Sequence, residues 1–445
     1  MLKELALTDG KKFPAAAQIL TNDFYIDDCI SGCDSAQEAI VLCEQLTKLL
    51  HDGGFELLKW STNSQELLNV IPNEHREKLE LRTFDDGEGS IARTLGLYWQ
   101  SECDLLRIQS PIVECDNTIR FTKRSFLSIV SSIFDPLGLV SPIVIACKVL
   151  FQNVWIHKLK WDDPLPDDIK YPWLDIYHNL PAISKIALPR LIKPKTNIKY
   201  MQLHGFCDSS QQAYGACLYL LTVDENDEVT VMLICAKSKV APLKQLSIPR
   251  LELCSALLLA KLLSKVQPIL NLSIDMVYLW SDSTIVISWL MSPSYKWKVF
   301  VANRVSEIQR LTSHCVWKHI SSKDNPADII SRGCTPTDLR NNSLWWTGPK
   351  WLRSLTFTNE GDNSNVSACE LPEFRISCAT TIKPPELIIL NNCSSYTKLI
   401  RTIAFCLRFI SNCKNHDKVI GSITANEFDS AVVMGQLRDP SHILI

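Results

Sequence analysis

Residues 200–333 carry the pattern that most restricts how this chain can fold. Short apolar and β-branched runs that favour strands alternate with longer stretches that have helical spacing. The pattern predicts strands over 200–207, 213–221, 228–236, 276–281 and 315–320, helices over 251–266, 284–290 and 299–311, and Pro326 as the first residue of a last helix. This is a mixed α/β order. We therefore expect a five-stranded mixed sheet with helices in this region.

Four acidic residues of this region lie where predicted elements end or begin. Asp208 and Asp282 close two strands, and Glu252 and Asp328 fall in the first turns of two helices. Such positions can bring carboxylates to one edge of a sheet, where they repel each other unless cations lie between them. Two Mg²⁺ ions held by such oxygens promote phosphodiester hydrolysis. Taken singly, each acid is better explained by turn or helix-dipole preference, but the four together favour a metal site.

Basic residues precede Glu252 without an intervening acid. Lysines and arginines of the whole chain number 46 against 48 aspartates and glutamates, a net charge of −2, so overall charge neither indicates nor excludes a polyanionic partner. The local run suits a phosphate backbone, although a solvated basic face explains it equally well. Its members are Lys237, Lys239, Lys244 and Arg250.

A second pair of acids lies near the N-terminus. Residues 23–30 predict a hairpin with Asp27 and Asp28 at its tip, where two carboxylates could hold metal ions for nucleotidyl transfer, or form only a polar turn. A helix follows, with Ser35 and Glu38 as a capping box and a stop at Gly53. Residues 55–60 then predict a strand.

Several classes of protein are excluded by what the sequence lacks. The N-terminus has no basic segment followed by an apolar one, and the most apolar stretch, 137–151, is too short and interrupted to span a bilayer. The 17 cysteines include no Cys-x-x-Cys pair. We expect an intracellular, cytoplasmic protein that is neither secreted nor bound to a membrane.

Eight short stretches together resemble a known family. The sequence is similar to the pol polyprotein of BEL/Pao-type LTR retrotransposons, the Pao retrotransposon peptidase family, over about residues 1–355. The matching stretches are FYIDD (24–28), GFELLKW (54–60), TKRS (122–125), IFDPLGL (133–139), LHGFCDS (203–209), PRLEL (249–253), WSDS (280–283) and KDNPAD (323–328).

The resemblance implies four segments. Residues 1–115 would be the C-terminal part of a reverse-transcriptase palm, 116–195 a helical thumb and connection, 196–333 a ribonuclease H-like domain, and 334–445 a connector before an absent integrase. It also implies two bound Mg²⁺ ions, an RNA–DNA hybrid or other nucleic acid as partner, and association with the missing N-terminal palm and fingers. A virus-like particle and the nucleus are the alternatives to a cytoplasmic location. The implied palm residues are Tyr25, Asp27, Asp28 and Lys59, with 95–96 in a primer-grip turn, and the implied ribonuclease ligands are Asp208, Glu252, Asp282 and Asp328.

The sequence also departs from the family pattern. A third palm aspartate and the fingers are missing, so we expect no polymerase activity from this chain alone. Neither Asp-Thr-Gly nor Asp-Ser-Gly occurs, so the peptidase suggested by the family name has no motif here. Asp324 competes with Asp328 as fourth ligand, and Asp328 fits the pattern better. A catalytically silent or co-opted nucleic-acid-binding remnant is the alternative to an active ribonuclease.

Four further residues have side chains that could bind nucleic acid or act in catalysis. We expect His319, which lies in a predicted strand, to be structural. We also expect Trp345, Trp346 and Trp351 to pack against the ribonuclease H-like domain rather than to stack on bases.

Overall fold

The computed structural model describes residues 1–354, 371–375 and 395–436, apart from gaps at 79, 85–86, 95–96, 112–120, 193–196 and 416–417. The chain divides into two compact units, Met1–Arg375 and Ile376–Ile445. The described strands are β1 (Phe24–Tyr25), β2 (Asp28–Cys29), β3 (Glu80–Phe84), β4 (Gly87–Thr94), β5 (Leu97–Gln100), β6 (Leu105–Ile108), β7 (Ala187–Pro189), β8 (Ile198–Ser209), β9 (Ala213–Asp224), β10 (Val229–Val240), β11 (Met276–Ser281) and β12 (Val316–His319).

Helices cover much of the rest of the described chain. In the first unit they are α1 (Leu2–Thr8), α2 (Pro14–Asn22), α3 (Ala36–Asp52), α4 (Gln65–Val70), α5 (Lys123–Ser131), α6 (Ser141–Ile156), α7 (Asp167–Asn179), α8 (Ile248–Leu270), α9 (Thr284–Met291), α10 (Val299–Leu311), α11 (Asp328–Arg332), α12 (Pro336–Asn341) and α13 (Ser343–Thr347). The second unit contains α14 (Tyr396–Lys414) and α15 (Ala425–Gln436), between which the buried Arg408 side chain pairs with Glu427.

The central element is a mixed five-stranded sheet in the order β10-β9-β8-β11-β12. Strands β8, β9 and β10 are antiparallel neighbours, and β11 runs parallel to both β8 and β12. This confirms the predicted α/β fold. Almost every residue of β9 is buried, which is typical of a strand covered on both faces.

One face of this sheet is covered by α8, α9 and α10. Leu253, Leu259 and Leu263 recur at helical spacing on α8 and are fully buried. Among the described helices, α8 is the one long and apolar enough to cross a membrane, but its apolar side chains pack on β8 and β9. It begins at Ile248, three residues before the predicted start, because Pro249 fits the first turn of a helix.

The opposite face is covered by α6, α11 and α13. The Tyr219 hydroxyl donates to the Trp345 carbonyl at 2.6 Å, and the Trp345 indole donates to the Leu139 carbonyl at 2.9 Å. Trp351 lies 4.8 Å from Trp280, centroid to centroid. Trp346 packs against the same core, so the prediction that the three tryptophans pack against the ribonuclease H-like domain is confirmed. The hydrophobic core on this face contains residues from all four segments predicted from the sequence. The boundaries of those segments stay predictions.

The N-terminal residues form a smaller core around α1, α2 and α3. A hairpin forms as predicted, because Phe24 pairs with Cys29 and Tyr25 with Asp28. Its turn is at residues 26–27, however, so Asp28 lies in β2 and its predicted place at the tip is wrong. Ser35 caps α3 by accepting from the Glu38 amide at 3.2 Å. The strand predicted over 55–60 is wrong, since only Trp60 makes a bridge, with Arg76, and Lys59 has a φ of 57°. Strands β3 to β7 form an antiparallel sheet of their own.

The loop at 133–139 fastens the helical region to the edge strand of the central sheet. The Ala236 amide donates to the Leu137 carbonyl at 2.9 Å. The Asp135 carboxylate accepts from the Leu139 and Val140 amides at 2.7 and 2.9 Å. Gly138 has a φ of +75°, and a Cβ there would lie 1.9 Å from the Ala236 carbonyl oxygen. Only glycine fits at this position.

We predict that Gly138→Ala destabilises the chain. A left-handed alanine and the collision with a β10 carbonyl should together lower the free energy of unfolding by roughly 2–4 kcal/mol. Thermal unfolding followed by circular dichroism measures the effect. The control is Gly32→Ala, where a Cβ would meet nothing within 4 Å. Equal melting temperatures for the two variants would contradict the prediction.

Candidate active site

Two of the predicted acids lie at the same end of neighbouring parallel strands. Asp208 is the next-to-last residue of β8, and Asp282 directly follows β11. Cys207 and Ser281 are partners in the ladder between these strands. Because the two strands run in the same direction, both carboxylates emerge at one edge of the sheet.

The other two acids are brought to this edge by helices. Asp328 is the first residue of α11, and α11 lies against β9 at Gly215, where a Cβ would be 2.1 Å from Ile330 Cγ2. Glu252 is the fifth residue of α8, so its predicted place in the first turn is wrong by about one turn. The predicted helix start at Pro326 is also wrong. The Asn325 side chain forms a turn before α11, which begins two residues after Pro326.

The charges of these acids act on one another. Burial, the nearby charge of Asp282 and that of Asp328 raise the pKa of the Asp208 carboxyl to about 7, although a hydrogen bond from Ser331 opposes the rise. Burial and the charge of Asp282 raise the pKa of Glu252 as well, against a hydrogen bond from Ser283. The charge of Asp282 therefore acts on both Asp208 and Glu252.

Only some of the carboxylate oxygens have protein partners. The Ser322 hydroxyl donates to Asp282 Oδ2 at 2.6 Å, and Arg332 Nε lies 2.8 Å from Asp328 Oδ1. Asp282 Oδ1 is buried and finds no hydrogen-bond partner among the described residues. His319, the last residue of β12, lies with Nε2 3.2 Å from the Asp282 carbonyl oxygen.

Asn325 is a positioning residue that the sequence reasoning missed. It is fully buried, and its Nδ2 donates to the Cys207 carbonyl at 3.1 Å. Its Oδ1 accepts from the Ala327 amide at 3.1 Å. These bonds hold the segment before α11 against the end of β8. The Asn-Pro pair in KDNPAD was the available signal, since such pairs favour turns.

The donor chemistry of this edge fits divalent cations. It offers carboxylate oxygens, a buried oxygen without a partner and mutual repulsion that a cation would relieve. In the described part of the chain, however, no three His, Cys, Asp or Glu residues are arranged closely enough to hold a metal ion as they stand. Asp328 instead accepts a hydrogen bond from Arg332.

The remaining predicted site residues lie elsewhere. Lys237, Lys239 and Lys244 are exposed on β10 and the loop after it, whereas Arg250 is paired with Glu373 at 2.7 Å. Tyr25, Asp27 and Asp28 are exposed on the β1–β2 hairpin, and Lys59 is exposed outside any strand. Residues 95–96 lie outside the described residues. The roles of all these residues stay predictions.

A mixed sheet in this strand order, with carboxylates at the ends of β8 and β11, defines a ribonuclease H-like α/β domain. Residues 122–283 match the family described as the Pao retrotransposon-like RNaseH-like domain, which confirms the resemblance predicted from the sequence. The matched range includes Asp208, Glu252 and Asp282. The match covers 162 of the 445 residues and ends before Asp328, so the similarity to this family concerns that part of the chain.

Solved structures give weaker similarities. RNase H1 from Halobacterium salinarum NRC-1 is 10% identical with a TM-score of 0.20, covering 29% of this chain and 90% of that one. LC11-RNase H1 in complex with RNA/DNA hybrid is 15% identical with a TM-score of 0.22, covering 29% and 92%. The foamy viral protease-reverse transcriptase in complex with RNA/DNA hybrid is 10% identical with a TM-score of 0.40, covering 71% of this chain and 38% of that one. No curated protein matches.

We predict that Asp208→Asn stabilises the chain when divalent cations are removed. The neutral amide escapes the cost of burying a charge beside Asp282 and Asp328, so its melting temperature in EDTA at pH 8 should exceed that of the wild type. Added Mg²⁺ should then raise the melting temperature of the wild type more than that of the variant.

The control for this comparison is Asp227→Asn, which removes an exposed carboxylate paired with Lys199 at 2.8 Å. It should not raise the melting temperature in EDTA. A lower melting temperature for Asp208→Asn than for the wild type in EDTA would contradict the repulsion described above.

Proposed function

We propose that the ribonuclease H-like domain hydrolyses the RNA strand of RNA–DNA hybrids with divalent cations, two Mg²⁺ ions being the expected set. The observation that carries this proposal is that Asp208 and Asp282 lie at the same end of two parallel strands and that burial and neighbouring charges raise the pKa values of Asp208 and Glu252. Repulsion between these carboxylates lowers the stability of the fold unless cations lie between them, and such unfavourable groups cluster at functional sites. Exposed Lys237, Lys239 and Lys244 could contact the phosphates of the same duplex.

Each acid has a definite part in this proposal. Asp208 and Asp282 would hold the cations from two strand ends, and Glu252 and Asp328 would complete the set from α8 and α11. When bound, the cations supply Lewis-acid stabilisation of phosphodiester oxygens and activation of water. Ser322 and Asn325 orient the carboxylate of Asp282 and the turn before α11, respectively.

We predict that the chain cleaves a labelled RNA–DNA hybrid in Mg²⁺ and that Asp208→Asn and Asp282→Asn lose activity. Removing one cation ligand should lower the rate by about 10²–10³-fold, equivalent to several kcal/mol of lost charge stabilisation. Product formation on denaturing gels measures the rate, with a DNA duplex of the same sequence as a substrate that should stay intact.

The same assay decides between the two candidates for the fourth ligand. Asp328→Asn should lose activity, and Asp324→Asn should retain it within about threefold, because the charge of Asp328 and not that of Asp324 acts on Asp208. The reverse result would move the ligand to Asp324. If the wild type were as inactive as Asp208→Asn, the chain would be a binding remnant and not a nuclease.

A further inference from the structure

Residues 371–375, which we call the strap, return to the ribonuclease H-like domain from far along the sequence. The Lys298 amide donates to the Glu373 carbonyl at 2.8 Å, and the Arg375 amide donates to the Lys296 carbonyl at 2.7 Å. These bonds form a short antiparallel bridge in which Trp297 faces Phe374. The Trp289 indole also donates to the Pro372 carbonyl at 3.1 Å, and Leu371 is buried among the residues of this face.

The strap places one carboxylate against a cationic side chain of α8. Glu373 Oε1 accepts from Arg250 Nε at 2.9 Å and lies 2.7 Å from a terminal guanidinium nitrogen of Arg250. The guanidinium carbons of Arg250 and Arg304 lie 4.9 and 3.6 Å from the Phe300 ring centroid, so two arginines flank one aromatic ring. Exposed Lys298 adds a further positive charge nearby.

The polar groups of Glu373 and of the neighbouring Arg304 are incompletely hydrogen-bonded. Glu373 Oε2 is buried and has no hydrogen-bond partner in the part of the chain that the structure describes, and the same holds for Arg304 Nε. Glu373 also has a φ of 68°, a strained conformation for a residue with a side chain. A phosphate group has more acceptor oxygens than a carboxylate and could satisfy both arginines.

Arg250 lies two residues before Glu252 on α8, less than one helical turn away, and residues at this spacing point to different sides of a helix. We propose that Glu373 occupies the place of a nucleic-acid phosphate at Arg250 and Arg304, and that the strap masks a phosphate-binding surface on the helix that carries Glu252 until a duplex displaces it. The inference rests on the proposed function only in taking a nucleic acid as the ligand. The strap is thus an intramolecular competitor of the substrate.

We predict that Glu373→Gln binds nucleic acid more tightly than the wild type. Fluorescence anisotropy with a labelled RNA–DNA hybrid and a DNA duplex in EDTA should show a three- to tenfold lower Kd at low salt for the variant, since the neutral amide no longer competes with phosphate. The slope of log Kd against log salt should also steepen by about one phosphate contact. Adding Arg250→Gln to the variant should cancel the gain.

The matched control is Glu307→Gln, which removes the same charge from α10, where Glu307 pairs with Arg310 at 3.2 Å. It should leave the Kd unchanged within about twofold, because it tests bulk charge alone. Phe374→Ala is a second way to loosen the strap, since it removes the ring that packs on Trp297 while leaving the charges in place. It too should bind more tightly than the wild type.

Several results would overturn the inference. Weaker or unchanged binding by Glu373→Gln and Phe374→Ala, or loss of cooperative melting in both, would make the strap a structural part of the fold. An absence of binding to either duplex by all the proteins would also overturn it. Tighter binding by the variants with no hybrid cleavage by any of them would instead preserve the strap proposal and contradict the nuclease proposal.

Discussion

The site depends on the burial of both faces of the five-stranded sheet. α8, α9 and α10 cover one face, and α6, α11 and α13 cover the other, so the middle of β8 and β9 has no contact with solvent. Charged groups on such strands can reach water only at the strand ends. The acids of β8 and β11 consequently share one edge, and their convergence follows from the packing of the sheet.

The contacts that position this edge of the sheet leave no buried polar group of Asn325 unpaired, whereas the burial of the acids lowers the stability of the fold. Asn325 satisfies both of its polar groups in a buried position, and Gly215 allows α11 to approach β9 closely. The Asp208 side chain, in contrast, is buried beside like charges, and its burial together with those charges raises its pKa to about 7. Rigid support for an electrostatically unfavourable group is the pattern expected of a binding or catalytic site.

The sequence predicted the parts of this structure that local pattern determines. α10 and β11 have the predicted bounds because Val301, Val305 and Ile308 keep helical spacing and because 276–281 is a short buried run ended by Ser-Asp. The placement of Asp208, Asp282 and Asp328 at element ends was predicted for the same reason. The segment 55–60 looked like a strand, but periodicity does not show whether a strand has a partner.

Contacts between residues distant in sequence could not be predicted in this way. Gly138 meets Ala236 and Arg250 meets Glu373 across 98 and 123 residues, and no local pattern contains that information. Sequence reasoning could mark Arg250 as a candidate for phosphate binding, but it could not show that an acid of the same chain already holds it. Whether Arg250 is available to a phosphate depends on the fold, because the fold determines which cationic side chains already have an acidic partner.

The contact between the 133–139 loop and β10 and the contact between the strap and Arg250 differ in how completely their polar groups are hydrogen-bonded. At 133–139, the Asp135 carboxylate accepts a hydrogen bond on each oxygen, and the Leu137 carbonyl accepts from the Ala236 amide of the edge strand β10. At the strap, one oxygen of Glu373 and one nitrogen of Arg304 are buried without partners among the described residues. A fully satisfied contact is costly to open, whereas a partly satisfied one can exchange for a better ligand. The first contact therefore fastens the sheet, and the second is suited to competition with a phosphate.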